Sequence, residues 1–375
     1  MSSTLGTNLR ISLFGESHGE MIGVVIDGLA SGIKLDMDFI NNQMNKRKAK
    51  GEISTARKEA DVIRIVSGYF NGYTTGTPLT ILIENTNINS KDYSKTKDIL
   101  RPSHADYTAY KKYDGYQDYR GGGHFSGRLT APLVAAGAIC MQILSSKGIQ
   151  IGTHIYNLHG ILDEPFSEDE KIINNQLKKL NSTSLPTLSD EVALKMNEEI
   201  LKYKSEANSI GGILESCIIG IEAGIGEPFA DSIESTLASL LFSIPGIKGV
   251  EFGLGFDFTS KTGKEANDEF VVNNGEIKTK TNHNGGINGG ISNGMPIKLK
   301  TCVKPTPSIY LPQQSVNYYT LEETTLQIEG RHDPAIIHRA AVVVDSMIAI
   351  GLVDLYTKRY GYMWQSEANI WDMDY

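Results

Sequence analysis

Twice along the chain a glycine loop carrying histidine and arginine runs into a long apolar segment with helical spacing: GGHFSGRLTAPLVAAGAI from Gly122, and EGRHDPAIIHRAAVVVDSMIAI from Glu329. Both read as apolar helices, the first of them buried. The first is expected over residues 129–144 and the second over residues 334–355. The echo is consistent with two related halves, although a glycine loop before a helix is common and no short-period repeat accompanies it.

The other elements are mixed. Residues 11–14 and 22–26 are β-branched, apolar runs on either side of the loop GESHG at 15–19, which reads as strand, loop, strand. Residues 35–47 have helical spacing. Residues 62–70 and 79–84 read as strands joined by a turn-rich connection at 71–78, and strand-like and helical signals resume at 212–220 and 231–242. The stretch 167–208, rich in Lys, Glu and Asn with an amphipathic helix at 190–203, reads as peripheral. Pattern alone supports a mixed α and β chain and leaves the domain count open.

Charge and cysteine content narrow the function. A formal net charge of −8 opposes a general role on nucleic acid or an anionic membrane, so an anionic ligand has to meet a local basic pocket. Cys140, Cys217 and Cys302 are far apart and form no close pair with one another or with His, which argues against both a zinc site and a disulfide framework. The N-terminal residues lack the basic and apolar run of a signal peptide. The apolar stretch 129–144 is shorter than the roughly 20 residues that span a bilayer and contains Pro132, so it reads as a buried helix. The expected setting is cytoplasmic.

Several motifs carry possible chemistry, each beside a plainer reading. Glycine loops feeding helices can present free N–H groups to a phosphate, but residues 121–123 and 285–294 match neither the dinucleotide fingerprint nor a P-loop and serve equally well as turns. His18, in GESHG, is a loop histidine that could be catalytic or packed. His104, in RPSHADY between Arg101 and Asp106, is suited to bind and protonate a phosphate, or belongs to a solvated turn. Lys46, Arg47, Lys48, Lys50, Arg57 and Lys58 form the densest basic cluster, either solvated surface or an anion contact. Arg120 and Arg128 flank the triple glycine, and Arg128 lies near a helix start, where a cation is unfavourable unless an anion sits there too. Asp333 precedes Pro334 and suits a helix N-cap, which explains it without catalysis.

Taken in order, these segments resemble the chorismate synthases over nearly the whole chain: GESHG, RPSHADY, DYRGGGHFSGRLTAP, NHNGGINGGISNG, VKPTPSI and GRHDP. The resemblance implies an α+β fold, a β-α-β sandwich with helices between two antiparallel sheets, as one large domain in a homotetramer. It implies an anti-1,4-elimination of phosphate and a C6 hydrogen from 5-enolpyruvylshikimate 3-phosphate, giving chorismate at the end of the shikimate pathway. Reduced FMN is needed, without net redox change. By resemblance His18 balances charge on the flavin, His104 protonates the departing phosphate, and Asp333 works with the flavin in removing the C6 proton. Ser126, Gly289, Lys304, Pro305, Thr306, Pro307, Ser308 and Arg331 match positions around the flavin, and Arg47, Arg101, Arg120 and Arg128 fall on the substrate side.

Three departures accompany the resemblance. His124 and Phe125 stand at the flavin contact, where many members have arginine and serine, KRKAKGEIS replaces a more arginine-rich run, and Pro307 replaces a serine. No added reductase segment is evident, so an external source of reduced FMN is favoured over an intrinsic NADPH-dependent one. Two other readings remain: a flavin oxidoreductase with net electron transfer, and a non-enzymatic anion-binding scaffold that would tolerate loss of His18 and Asp333.

Overall fold

The computed structural model describes residues 3–49, 51–54, 60–86, 97–273, 275–328 and 333–366. A first antiparallel sheet is built from β1 (Arg10–Gly15), β2 (Met21–Asp27), β3 (Ile63–Ser67) and β4 (Leu79–Glu84), in the spatial order β1-β2-β4-β3. A short strand, Thr4–Leu5, extends its β1 edge. The register sets Ile22, Val24 and Ile26 of β2 opposite Ile83, Ile81 and Leu79 of β4. All six side chains are fully buried. Each such side chain contributes about 1.5–3 kcal/mol to folding by leaving water.

The second sheet repeats that topology. Its strands β5 (Gln150–Leu158), β6 (Gly212–Ile219), β7 (Ile247–Phe252) and β8 (Ile297–Val303) are antiparallel and ordered β5-β6-β8-β7, with Ile161–Leu162 beside β5. In each half a helix separates the second strand from the third: α1 (Met37–Arg47) in the first half and α6 (Ile233–Phe242) in the second. Each half then reaches a long apolar helix, α3 (Thr130–Ser146) or α7 (Ile337–Tyr360). A short helix, α2 (Asp106–Lys112), precedes α3. The sequence echo is therefore matched by a repeated arrangement of strands and helices.

Helices α3 and α7 lie side by side between the sheets, making the β-α-β sandwich. They are long and apolar enough to cross a membrane, yet 78% and 89% of their most apolar windows is buried inside the protein. Their backbones approach closely because residue 137 is glycine. A Cβ there would stand 2.2 Å from the Cβ of Ser346, closer than real atoms pack. Pro132 lies in the first turn of α3, where helical N–H groups have no partner within the helix. Helix α7 begins three residues later and ends five later than its sequence pattern indicates. It runs on to Gly361, where φ is 77°, and Tyr356 in its last turns stacks on Trp364 at 4.3 Å.

The 167–208 segment lies at the edge of the sandwich but is packed against it. Its α4 (Glu170–Leu180) covers the outer face of the second sheet, where Ile173, Leu177 and Leu180 form a small core with Phe166, Leu188, Cys217 and Ile219. Met196 and Ile200 of α5 (Asp190–Ser205) join the main core. Beside α4, His154 is fully buried between Asp163 and Glu215, at 3.1 and 2.9 Å. Burial alone would depress the imidazole pKa, but hydrogen bonds and charge from both carboxylates outweigh it and raise the pKa.

Candidate active site

The triple glycine organises the site. Gly121, Gly122 and Gly123 have φ of 59°, 84° and 53°, the left-handed region that side chains with a Cβ rarely enter. They are also where two loops distant in sequence come in. A Cβ on Gly121 would lie 2.2 Å from Cε1 and 2.3 Å from Nδ1 of His18, so the imidazole rests on that glycine. A Cβ on Gly122 would lie 3.9 Å from Cε1 of His104. Adjacent glycines thus face the two histidines. The Ser17 N–H donates to the Gly123 carbonyl at 3.1 Å, tying the His18 loop to the turn.

His104 stands in a tight turn in which Ser103 has φ of 55° and the His104 N–H donates to the Arg101 carbonyl at 3.2 Å. The Lys304 ammonium donates to the Ser103 carbonyl at 2.8 Å and brings the KPTPS segment beside that turn. Partial burial and the nearby charge of Lys248 lower the Lys304 pKa. A cavity opens at this junction, lined by Arg101, His104, Gln117, Gly122, Phe125 and Tyr318.

Among the described residues, each candidate arginine arrives with a carboxylate. Arg101 grips Asp106 through Nε and Nη2 at 2.8 and 2.6 Å, and Arg120 grips Asp118 in the same way at 2.8 Å for both contacts. Burial would raise the Asp106 pKa, but the bonds from Arg101 more than offset it and the pKa is lowered. The bond from Arg120 likewise lowers that of Asp118, with a smaller contribution from His18. Arg47 and Arg128 share Asp61: Arg47 Nη2 donates to one oxygen at 2.5 Å and Arg128 Nη1 to the other. Arg128 also donates to the side chain of Asn85 at 3.0 Å and the carbonyl of Glu84 at 3.2 Å. The anion that a cation beside the start of α3 calls for is therefore supplied by the protein.

Asp333 is not the N-cap of α7. The helix starts at Ile337, and the Asp333 carboxylate instead accepts from Nη1 of Arg339. Arg339 also donates through Nε to the Arg47 carbonyl at 2.8 Å. Asn85 completes the linkage, since its amide donates to the carbonyls of Glu16 and Gly19 at 3.0 and 2.9 Å. A continuous set of bonds thus runs from the His18 loop through Asn85, Arg128, Asp61, Arg47 and Arg339 to Asp333. Asp61, Asn85 and Arg339 are not singled out in the sequence, where the first two are polar residues in strand-flanking segments. Arg339 carried one signal, its position about a turn and a half after Asp333.

The remaining candidates divide. Ser126 accepts from the Arg128 N–H, Phe125 lines the cavity, Pro305 packs on Gly211, and Ser308 is buried in the same segment as Pro307. His124 turns the other way: its Nδ1 donates to the Gly15 carbonyl at 2.9 Å and its Nε2 lies 3.1 Å from the Ser3 hydroxyl, so it fastens the turn to β1. Gly289 sits in a hairpin preceding β8, whereas Lys304 follows β8. The seven residues of that strand span about 20 Å, so within one chain Gly289 is apart from the other candidates. Of the basic cluster, Lys46 donates to Asn181. Arg331, Lys50, Arg57 and Lys58 lie outside the described residues.

Comparison with known proteins bears on the family and the fold. The family model described as chorismate synthase matches residues 9–357. The chorismate synthase of Pyrococcus abyssi is 45% identical over 350 residues, covering 93% of this chain and 96% of that one. The chain belongs to the chorismate synthase family. The chorismate synthase of Methanobrevibacter smithii is 43% identical, with 99% of this chain and 100% of that protein covered. A crystal structure of a chorismate synthase superposes with a TM-score of 0.75 at 26% identity, covering 96% of this chain and 95% of the other. Membership makes the chain an enzyme of the chorismate synthase type, a carbon–oxygen lyase acting on phosphates.

Proposed function

We propose that the chain eliminates phosphate and a C6 hydrogen from 5-enolpyruvylshikimate 3-phosphate to give chorismate, with reduced FMN bound beside the triple glycine. The observation that carries this reading is the seating of His18 and His104 on adjacent glycines of one turn. The segment 304–308 and the His18 loop fit a flavin. Among the described residues, the enclosed hydroxyls of Thr306 and Ser17 have no protein partner, a state that a bound polar ligand would relieve. Lys304 adds a cation.

Reduced FMN, when bound, supplies electron density transiently to the substrate as phosphate leaves. His104 donates a proton to the departing phosphate oxygen, and His18 holds a proton against the flavin's negative charge. Asp333 takes part in removing the C6 proton. The C3–O and C6–H bonds break and a double bond forms, so oxidation states balance overall. Arg47 and Arg128 bring two guanidinium groups together at Asp61, cations suited to the substrate's phosphate and carboxylates. In the homotetramer expected of the family, Gly289 would serve a flavin held mainly by a neighbouring copy. The protein would act in the cytoplasm.

Anaerobic incubation with the substrate, chemically reduced FMN and no NADPH tests the proposal. Equal amounts of phosphate and chorismate are expected with reduced FMN, and neither with oxidised FMN. Absence of chorismate from folded, flavin-bound protein would contradict it.

A further inference from the structure

The buried hub at Asp61 points to a role that none of the substrate or flavin assignments covers. The Asp61 side chain is fully buried, and those of Arg47 and Arg128 are each only 4% exposed. Its two oxygens serve different partners, one guanidinium from the last residue of α1 and one from the turn that enters α3. The residue lies just before β3 with φ of 48°, a left-handed conformation that only a few per cent of residues other than glycine adopt. That backbone aims the carboxylate between the two helix ends. Burial raises the cost of its charge, yet the two arginines more than compensate and its pKa is lowered.

We infer that Asp61 is a positioning residue that sets Arg47 and Arg128 in one geometry for the substrate's anionic groups. The inference rests on the function proposed above. Two guanidiniums brought together without an anion repel, so their common orientation requires a carboxylate between them. Asp61 itself does not touch the substrate. It acts through both arginines. Arginines that meet the substrate's carboxylates, whose charge does not change in the reaction, supply uniform binding, so loss of their alignment raises KM more than it lowers kcat.

The test compares wild type with Asp61→Asn, which keeps the shape and removes the charge, in the anaerobic assay with reduced FMN well below the melting temperature. KM for the substrate is expected to rise at least tenfold while kcat falls less than threefold. Formate, a carboxylate small enough for the vacated space, should lower the raised KM of Asp61→Ala and leave wild type unchanged. Should Asp61→Asn fail to melt cooperatively, Asp61→Glu keeps the charge but shifts the carboxylate by one methylene, and its KM should rise in the same way. Active wild type together with a folded Asp61→Asn or Asp61→Glu of wild-type KM would overturn the inference, whatever happened to thermal stability. Wild type that forms no chorismate would instead overturn the functional reading beneath it.

Discussion

Replacing Gly121 with alanine should disable the site while leaving the fold in place. Two effects follow from the geometry. The residue has φ of 59°, where a Cβ costs about 1–2 kcal/mol. The new methyl would also lie 2.2 Å from the His18 ring, so the ring must retreat about 1.3 Å to reach an ordinary contact of about 3.5 Å. The atoms in the way belong to side chains, His18 and the Ser17 hydroxyl, which can move without unravelling the turn. Melting should therefore fall by only a few degrees. Misplacing a reacting group by about 1 Å can cost roughly 100-fold, and turnover should fall by about that factor. Anaerobic steady-state kinetics, with FMN binding by fluorescence and a thermal melt on the same sample, check each part. Gly123→Ala is the contrast, because its Cβ would meet the Asp118 backbone carbonyl at 2.1 Å and should destabilise the fold. A folded Gly121→Ala enzyme with turnover within twofold of wild type would refute the seating of a functional histidine on that glycine.

Three further outcomes follow from the same structure. His104→Ala should cut turnover about 100-fold or more, while FMN affinity, measured by titration, changes far less; unchanged turnover would remove His104 from the mechanism. Arg339→Met should lower turnover at least about tenfold, the scale of a lost charged hydrogen bond, with only partial recovery in Arg339→Lys, whose single ammonium cannot reproduce the two-armed contact with Asp333 and the Arg47 carbonyl. The His154 triad predicts a pH-dependent melt: a raised folded pKa makes its stabilisation complete below about 6.5 and lost as pH rises through the folded value. Asp163, whose pKa is lowered, adds stability above about 3.8 that is lost on acidification. His154→Gln should flatten the alkaline fall in melting temperature, and an unchanged slope would count against the triad.

What the sequence made legible was local. Residues 129–144 announce a buried helix because small and branched apolar side chains fill every turn, and α3 covers all of them but Leu129, its N-cap. The run 62–70 reads as one strand but breaks at Gly68, whose φ of 74° turns the chain out of β3 and into a separate pairing. Asp333-Pro334 reads as a helix opening, whereas here the carboxylate is drawn to Arg339 and the helix starts only at Ile337. The β1-β2-β4-β3 order and its repeat depend on pairing between distant segments, which periodicity does not encode; the family resemblance supplied that architecture.

The site shows the same division. The motif histidines and arginines stand out by residue type and neighbours, but which glycine faces which histidine is a matter of loops meeting in space. Asp61 is one acid in a charged stretch, and only the folded chain shows two arginines converging on it. His124 occupies a position matched to the flavin contact, yet its ring bonds with Gly15 and Ser3 because the turn carries it toward β1.

The measurement that bears most directly on the central claim is the number of chorismate molecules formed per flavin oxidised, followed by flavin absorbance in an anaerobic cell during many turnovers. An elimination without net redox change predicts a ratio far above one, with the flavin still reduced when the substrate is exhausted. One flavin oxidised per product would contradict the account and make the protein an oxidoreductase.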